Sequence, residues 1–111
     1  MTNIIITMPD LKKEGNAALK EYYRKEKGLL YFRVSMLPKR CKVGEYCYIV
    51  CNGEFIGMHK IVAMGFLNEE SAQMLSDGNW HKGKYIIRDG TTFFEDNRHI
   101  MMRGFQGFRY I

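Results

Sequence analysis

The sequence predicts a small α+β domain, a mixed and partly closed β-barrel with two flanking helices. Short β-branched and aromatic runs outnumber helical stretches, glycines stand at the corners of those runs, and the two helical stretches do not alternate with the strands. Residues 1–111 contain no Pro/Gly/Ser-rich linker, so one core and one domain are expected. A composition of 46% hydrophobic and 14% aromatic residues can fill that core without disulfides or metals.

Each element has its own signal. Asn3 to Met8 is a β-branched run closed by Pro9 and predicts the first strand. Asp10 is a plausible N-cap for a first helix. Leu11, Ala18, Leu19, Tyr22 and Tyr23 recur at helical spacing, Gly28 supplies the stop, and Gly15 and Asn16 allow a later start at Asn16. Leu29 to Leu37 alternates, with Phe32, Val34 and Met36 on one face and Tyr31, Arg33 and Ser35 on the other. A basic loop from Pro38 to Val43 and a turn at Gly44 lead to a strand from Glu45 to Cys51. Asn52-Gly53 then predicts a hairpin, because both central residues of the tight turn need positive φ; Glu54 to Met64 returns, with Gly57 as a bulge. Asn68, Glu69 and Glu70 open a second, short helix that Gly78 closes. Lys82 to Arg88 is a strand, Asp89-Gly90 predicts a second hairpin turn, and Thr91 to Phe94 pairs back. Ile100 to Arg103 and Phe105 to Ile111 are the closing strands.

Composition also excludes function classes. No apolar run approaches the ~20 residues of a bilayer span and Ile4 to Ile6 is too short for a signal-peptide core, so no membrane partner and a cytoplasmic location are expected. Cys41, Cys47 and Cys51 lack CxxC spacing; Cys47 and Cys51 on one strand would stand roughly 13 Å apart, too far to bridge, and are read as reduced core thiols. His59, His81 and His99 are dispersed, which gives no metal site. Phosphate-cradling, dinucleotide-binding and serine-hydrolase motifs are absent, and no cofactor is expected.

The net charge of +5 is unevenly spread. Leu29 to Gly44 carries Arg33, Lys39, Arg40 and Lys42 with no acid, and Asn97 to the end carries Arg98, Arg103 and Arg109 with no acid, so the two stretches could merge into one positive surface. Trp80 lies just before Lys82 and Lys84. Cations beside aromatic faces are what unpaired nucleic acid requires, phosphates on the first and stacked bases on the second.

The stretch Tyr31 to Met64, YFRVSMLPKRCKVGEYCYIVCNGEFIGMHKIVAM, resembles the PUA-like superfamily and its ASCH and EVE-type branches in the order of its features. These are strand, basic loop, Val-Gly-Glu turn, aromatic strand, and a strand carrying Ile-Gly. Gly83 to Gly90 and Gly104 to Tyr110 are similar to closing segments of small bacterial and phage members. The resemblance implies a pseudo-barrel with a cleft for RNA or a modified nucleobase. The G-x-K-x-x-E-x-R signature of many ASCH members is broken here. Counting back from Arg33, Tyr31 takes the glutamate position and Gly28 the lysine position, with Lys27 one residue out of register, which argues against amidohydrolase chemistry.

The first reading is therefore a module that binds RNA, single-stranded nucleic acid or a flipped base, without catalytic residues. Arg33, Lys39, Arg40, Lys60, Arg88 and Arg109 would hold phosphates or base edges, while Tyr31 and Trp80 stack. The alternatives are a small ASCH-type hydrolase of a modified nucleoside, using Lys27 or Lys39 as an activating amine, and a bacterial or phage inhibitor that binds an acidic protein partner.

Overall fold

The computed structural model describes residues 2–10, 12–75 and 80–111. The chain runs β1 (Ile4–Thr7), α1 (Asn16–Lys25), β2 (Leu29–Val34), β3 (Tyr46–Cys51), β4 (Glu54–Leu67), α2 (Glu69–Gln73), β5 (Gly83–Glu95) and β6 (Phe108–Tyr110). The strands form one six-stranded sheet in the order β2-β5-β4-β3-β1-β6. Only β1 and β3 run parallel among these pairs, which is why β1 needs the crossover through α1 and β2.

β1 reads as an unbroken apolar run because it is covered on both faces. Ile4 and Ile6 join the main core with Cys47, Ile49, Ile56, Ile61 and Ile86, whereas Ile5 faces a second cluster with Val50 and Phe55. Both Asn52 and Gly53 have positive φ, 51° and 75°, so the expected hairpin turn between β3 and β4 forms. The bulge expected near Gly57 also appears, as a register shift between Ile49 and Val50 on the partner strand.

The second hairpin does not form. Asp89 and Gly90 lie inside β5, which continues from Gly83 to Glu95, and neither has positive φ. Two forces compete there, and the local turn loses. β5 pairs with Gly57 to Leu67 of the 14-residue β4 through two register shifts, so the strand bends instead of reversing. Gly90 is needed for a different reason: a Cβ on it would lie 2.6 Å from the carbonyl oxygens of Glu26 and Gly28, and its N–H donates to the Gly28 carbonyl at 2.9 Å. β5 thus passes directly beneath the loop after α1.

Four other expectations shift. Ile100 to Arg103 is not a strand but makes one isolated bridge, Met101 to Glu54. The last strand contracts to β6. α2 is shorter than expected, capped by the Asn68 side chain, which accepts the Ser71 N–H at 2.8 Å; its expected stop at Gly78 lies outside the described residues. Gly15 rather than Asp10 is the N-cap of α1. The Asp10 carboxylate instead accepts the Glu14 and Gly15 N–H groups at 3.1 and 2.8 Å and Asn52 Nδ2 at 3.2 Å, which holds its pKa below the usual carboxylate range, first through the Gly15 bond. Asn16 completes the fastening by donating to the Cys51 carbonyl at 3.0 Å and to Glu54 Oε1 at 2.9 Å. α1 is therefore pinned to the hairpin at its start, while its inward Tyr23 packs on the core.

The sheet curls until its edges approach. Val34 and Ser35 at the end of β2 and Gly107 and Phe108 at the start of β6 line one small cleft. The Tyr110 hydroxyl accepts the N–H groups of Lys39 and Arg40 at 2.8 and 3.3 Å, and Arg40 stacks on its ring at 4.0 Å. The barrel is partly closed by a loop and a tyrosine where a sheet bond would close it fully. The three cysteines are free and buried. Among the described residues no helix is long and apolar enough to cross a membrane, and no group of three or more His, Cys, Asp or Glu side chains is placed to hold a metal ion.

Candidate functional site

β2 and β5 are hydrogen-bonded neighbours with Leu30 opposite Arg88. That register turns Lys84, Ile86 and Arg88 to one face, and Arg88 pairs across its other side with Ile61 of the main core. A full-length arginine is consequently carried into the interior, where it is only 1% exposed, and its Nε and Nη1 find no hydrogen-bond partner among the described residues. A buried donor left unpaired costs about 1 to 3 kcal/mol, and more when it is charged. His59 is 0% exposed and both its ring nitrogens are likewise unpartnered. It packs edge-on against Tyr23 at 5.2 Å and tilted against Phe93 at 5.1 Å. Burial, and then the neighbouring Arg88 charge, push its pKa down to about 3, so it stays neutral.

Arg88 is not sealed in. It lines an open pocket of about 660 Å³ together with Tyr22, Tyr23, Glu26, Tyr31 and Trp80, between α1, the loop after it, the edge strand β2 and the segment leading into β5. That volume is typical of sites for small organic ligands. Desolvation raises the pKa of Tyr22 and of Tyr23, so both present neutral hydroxyls. Glu26 supplies a carboxylate whose Oε1 accepts the Gly28 N–H at 3.0 Å. The Tyr31 and Trp80 rings stand 6.2 Å apart, and Trp80 meets Tyr85 edge-on at 5.7 Å. The segment that carries Trp80 is held in turn: Glu69 accepts His81 Nδ1 and the Lys82 N–H, each at 2.9 Å, and Tyr85 donates to the His81 carbonyl at 2.6 Å. The Lys82 bond is the chief reason the Glu69 carboxyl falls to about 2.

Of the eight residues singled out from the sequence, Tyr31, Trp80 and Arg88 meet in this pocket. Arg33 lies one step further along β2 and lines an adjacent cleft with Lys82 and Lys84. Lys39 and Arg40 sit beside Tyr110 at the far side of the barrel, which is where the two acid-free stretches of sequence meet. Arg109 covers Phe105 on the outer face at 4.4 Å, and Lys60 is exposed on β4 and lines neither cleft. The cations thus fall into separate groups, and the single hollow that the sequence suggested for all of them is not present among the described residues. Neither Lys27 nor Lys39 lines the aromatic pocket. Sequence reasoning missed Tyr22, Tyr23 and Glu26 as lining residues; the signal available was their place on the turn of helix that immediately precedes β2.

A second hollow, lined by Tyr48, Phe94, Glu95, Asp96 and Arg98, has its charges already spoken for: Arg98 pairs with Asp96 at 2.5 Å and Glu95 pairs with Arg24. The pocket of Arg88 differs in holding a guanidinium that makes no ion pair among the described residues.

This curled sheet with its crossover helix shares the fold of solved ASCH structures. It is similar to two crystal structures of mutant forms of ZmASCH from Zymomonas mobilis. One superimposes with a TM-score of 0.61 at 11% identity, covering 98% of this chain and 89% of that one. The other gives 0.56 at 13% identity, covering 98% and 87%. No family model matches the sequence, and no curated protein matches it either.

Proposed function

We propose that residues 1–111 act as one binding module for RNA or other single-stranded nucleic acid, and that the pocket between α1 and β2 receives an unpaired base. The observation that carries the reading is Arg88: a buried guanidinium with free donors, at the floor of a pocket walled by tyrosines and a tryptophan. A base stacked on Trp80 or Tyr31 gains about 1 to 3 kcal/mol, and its carbonyl or ring-nitrogen acceptors suit an arginine fork. Glu26 adds an acceptor beside those donors. Donor and acceptor together fit a neutral base edge, which offers both, better than they fit a bare anion, which would face the carboxylate. The PUA-like fold is consistent with such a role.

Trp80 is the one tryptophan of the chain, so its fluorescence reports on this pocket alone. Titration with the four ribonucleoside monophosphates and with short RNA should quench it saturably for at least one of them, and Arg88→Met should abolish the response. Wild-type emission that stays unchanged with every one of these probes would refute the reading.

A further inference from the structure

Next to the base pocket lies a second cleft of about 660 Å³ whose charges among the described residues are all positive. Arg33 reaches it from β2, Lys82 and Lys84 from the start of β5, and no acid lines it among the described residues. The Arg33 side chain lies close over Gly83, where a Cβ would stand 2.6 Å from Nε, which brings the guanidinium to the residue between the two lysines in sequence. Lys84 Nζ donates to the Ser35 carbonyl at 3.4 Å, and Lys82 is anchored through its backbone N–H on Glu69, leaving its ammonium free of any ion pair among the described residues. Three other cations are held by acids, Arg24 by Glu21 and Glu95, Lys25 by Glu21, and Arg98 by Asp96. Phe66, 63% exposed, lines the same cleft and offers a bare ring beside the charges.

The two clefts are in register. Arg33 follows Tyr31 by two residues on β2, and Lys82 follows Trp80 by two, so the first cation stands roughly 6.6 Å along the strand from the stacking ring. That is a reach of one nucleotide step, not of one base.

We propose that Arg33, Lys82 and Lys84 form the phosphate track for a strand whose base occupies the Arg88 pocket, so that the ligand is an oligonucleotide and not a free nucleoside or base. The proposal rests on the base-pocket reading. The track neutralises the phosphates that leave the pocket, and Phe66 is the platform for the neighbouring base.

The test uses a fluorescent, mixed-sequence single-stranded RNA of about 12 nucleotides, an unphosphorylated nucleoside, and polyglutamate as an acidic polypeptide control. Three phosphate contacts on a single strand give a salt exponent of about 2, so this track alone should account for a roughly 20-fold loss of RNA affinity between about 50 and about 200 mM salt. The variant Arg33→Ala, Lys82→Ala, Lys84→Ala alters exposed side chains only and should fold normally. It should lower that exponent by about 2 and leave quenching of Trp80 by an unphosphorylated nucleoside unchanged. Trp80→Ala should weaken RNA binding while keeping the full salt exponent. An unchanged exponent in the triple variant, equal binding of polyglutamate, or no RNA binding by the wild type would overturn the track. If instead the triple variant loses its salt-sensitive RNA binding while Trp80→Ala and Arg88→Met bind as well as wild type, the track stands and the base pocket falls.

Discussion

Replacing Arg88 with methionine should make the protein more stable and empty of function at once. In the folded chain Arg88 is 1% exposed and two of its three guanidinium nitrogens have no partner among the described residues. Methionine keeps a long unbranched stem against Leu30 and Ile61 and removes the unpaired donors. At about 1 to 3 kcal/mol for each unsatisfied buried group, and with buried ionic groups often replaceable by apolar ones at a gain of ~1 to 4 kcal/mol, the net stabilisation should be about 1 to 3 kcal/mol. A chain of 111 residues unfolds with an entropy near 0.23 kcal/mol/K, at about 2.1 cal/mol/K per residue, so Tm should rise by about 4 to 13 °C. Urea titration followed by circular dichroism measures the first quantity and a thermal scan the second. A loss of more than about 1 kcal/mol in the variant would show that Arg88 is satisfied within the folded protein and would remove the reason for assigning it to a ligand. Retained quenching of Trp80 by nucleotides in a stabilised variant would separate the cost of the arginine from its use.

Acid should destabilise the protein before its carboxylates titrate. His59 has a folded pKa of about 3 against an unfolded value of about 6.5, so the unfolded chain takes up the proton first, and its contribution is complete above about pH 6.5 and shrinks as pH falls toward 3. Between about pH 6.5 and about pH 5 that amounts to roughly 2 kcal/mol, which His59→Leu should abolish; an identical pH dependence in the variant would disprove the assignment. Gly90→Ala should cost about 1 to 3 kcal/mol and disturb nucleotide binding as well, since its Cβ would press on the carbonyls of Glu26 and Gly28 at the pocket's rim; a silent substitution would show the loop moves freely there. Native protein should resist thiol reagents. Burial lifts Cys41 to about 12 and Cys47 to about 11 and raises Cys51 as well, so modification of all three should await denaturant; rapid labelling of the folded protein would contradict their placement.

Most of the fold was legible because its signals are local. Ile4 to Ile6, the Asn52-Gly53 turn and the Asn68 cap each act within a few residues, and all behave as their chemistry dictates. Asp89-Gly90 misled because the same dipeptide serves a distant contact. The glycine makes room for the loop after α1, the aspartate folds onto Thr91 at 2.9 and 2.7 Å, and the long ladder with β4 carries the strand straight through. The cations were harder. Charge along a sequence gives no azimuth around a barrel, so Arg109 and Lys60 went with Arg33 in the reading and stand apart in space. Arg88 could have been weighted more heavily from the sequence: it shares the face of the buried Ile86 in mid-strand, whereas the exposed Lys84 on that face stands at the strand's start.

The comparison between His59 and Arg88 explains why only one of them marks a site. Both are buried with unpaired nitrogens, and they repel each other's charge. Histidine escapes the cost by staying neutral, which its depressed pKa shows it does. Arginine has no such escape, because its guanidinium holds its proton at any pH the fold survives. A chain that keeps an arginine there, within the wall of an aromatic pocket rather than behind it, bears a cost in the free state that only an incoming acceptor can offset. The strain therefore belongs to the unliganded protein, and binding should stabilise the wild type against heat by RT ln(1 + [L]/Kd), about 2.7 kcal/mol at a hundredfold excess over Kd, while leaving Arg88→Met unmoved.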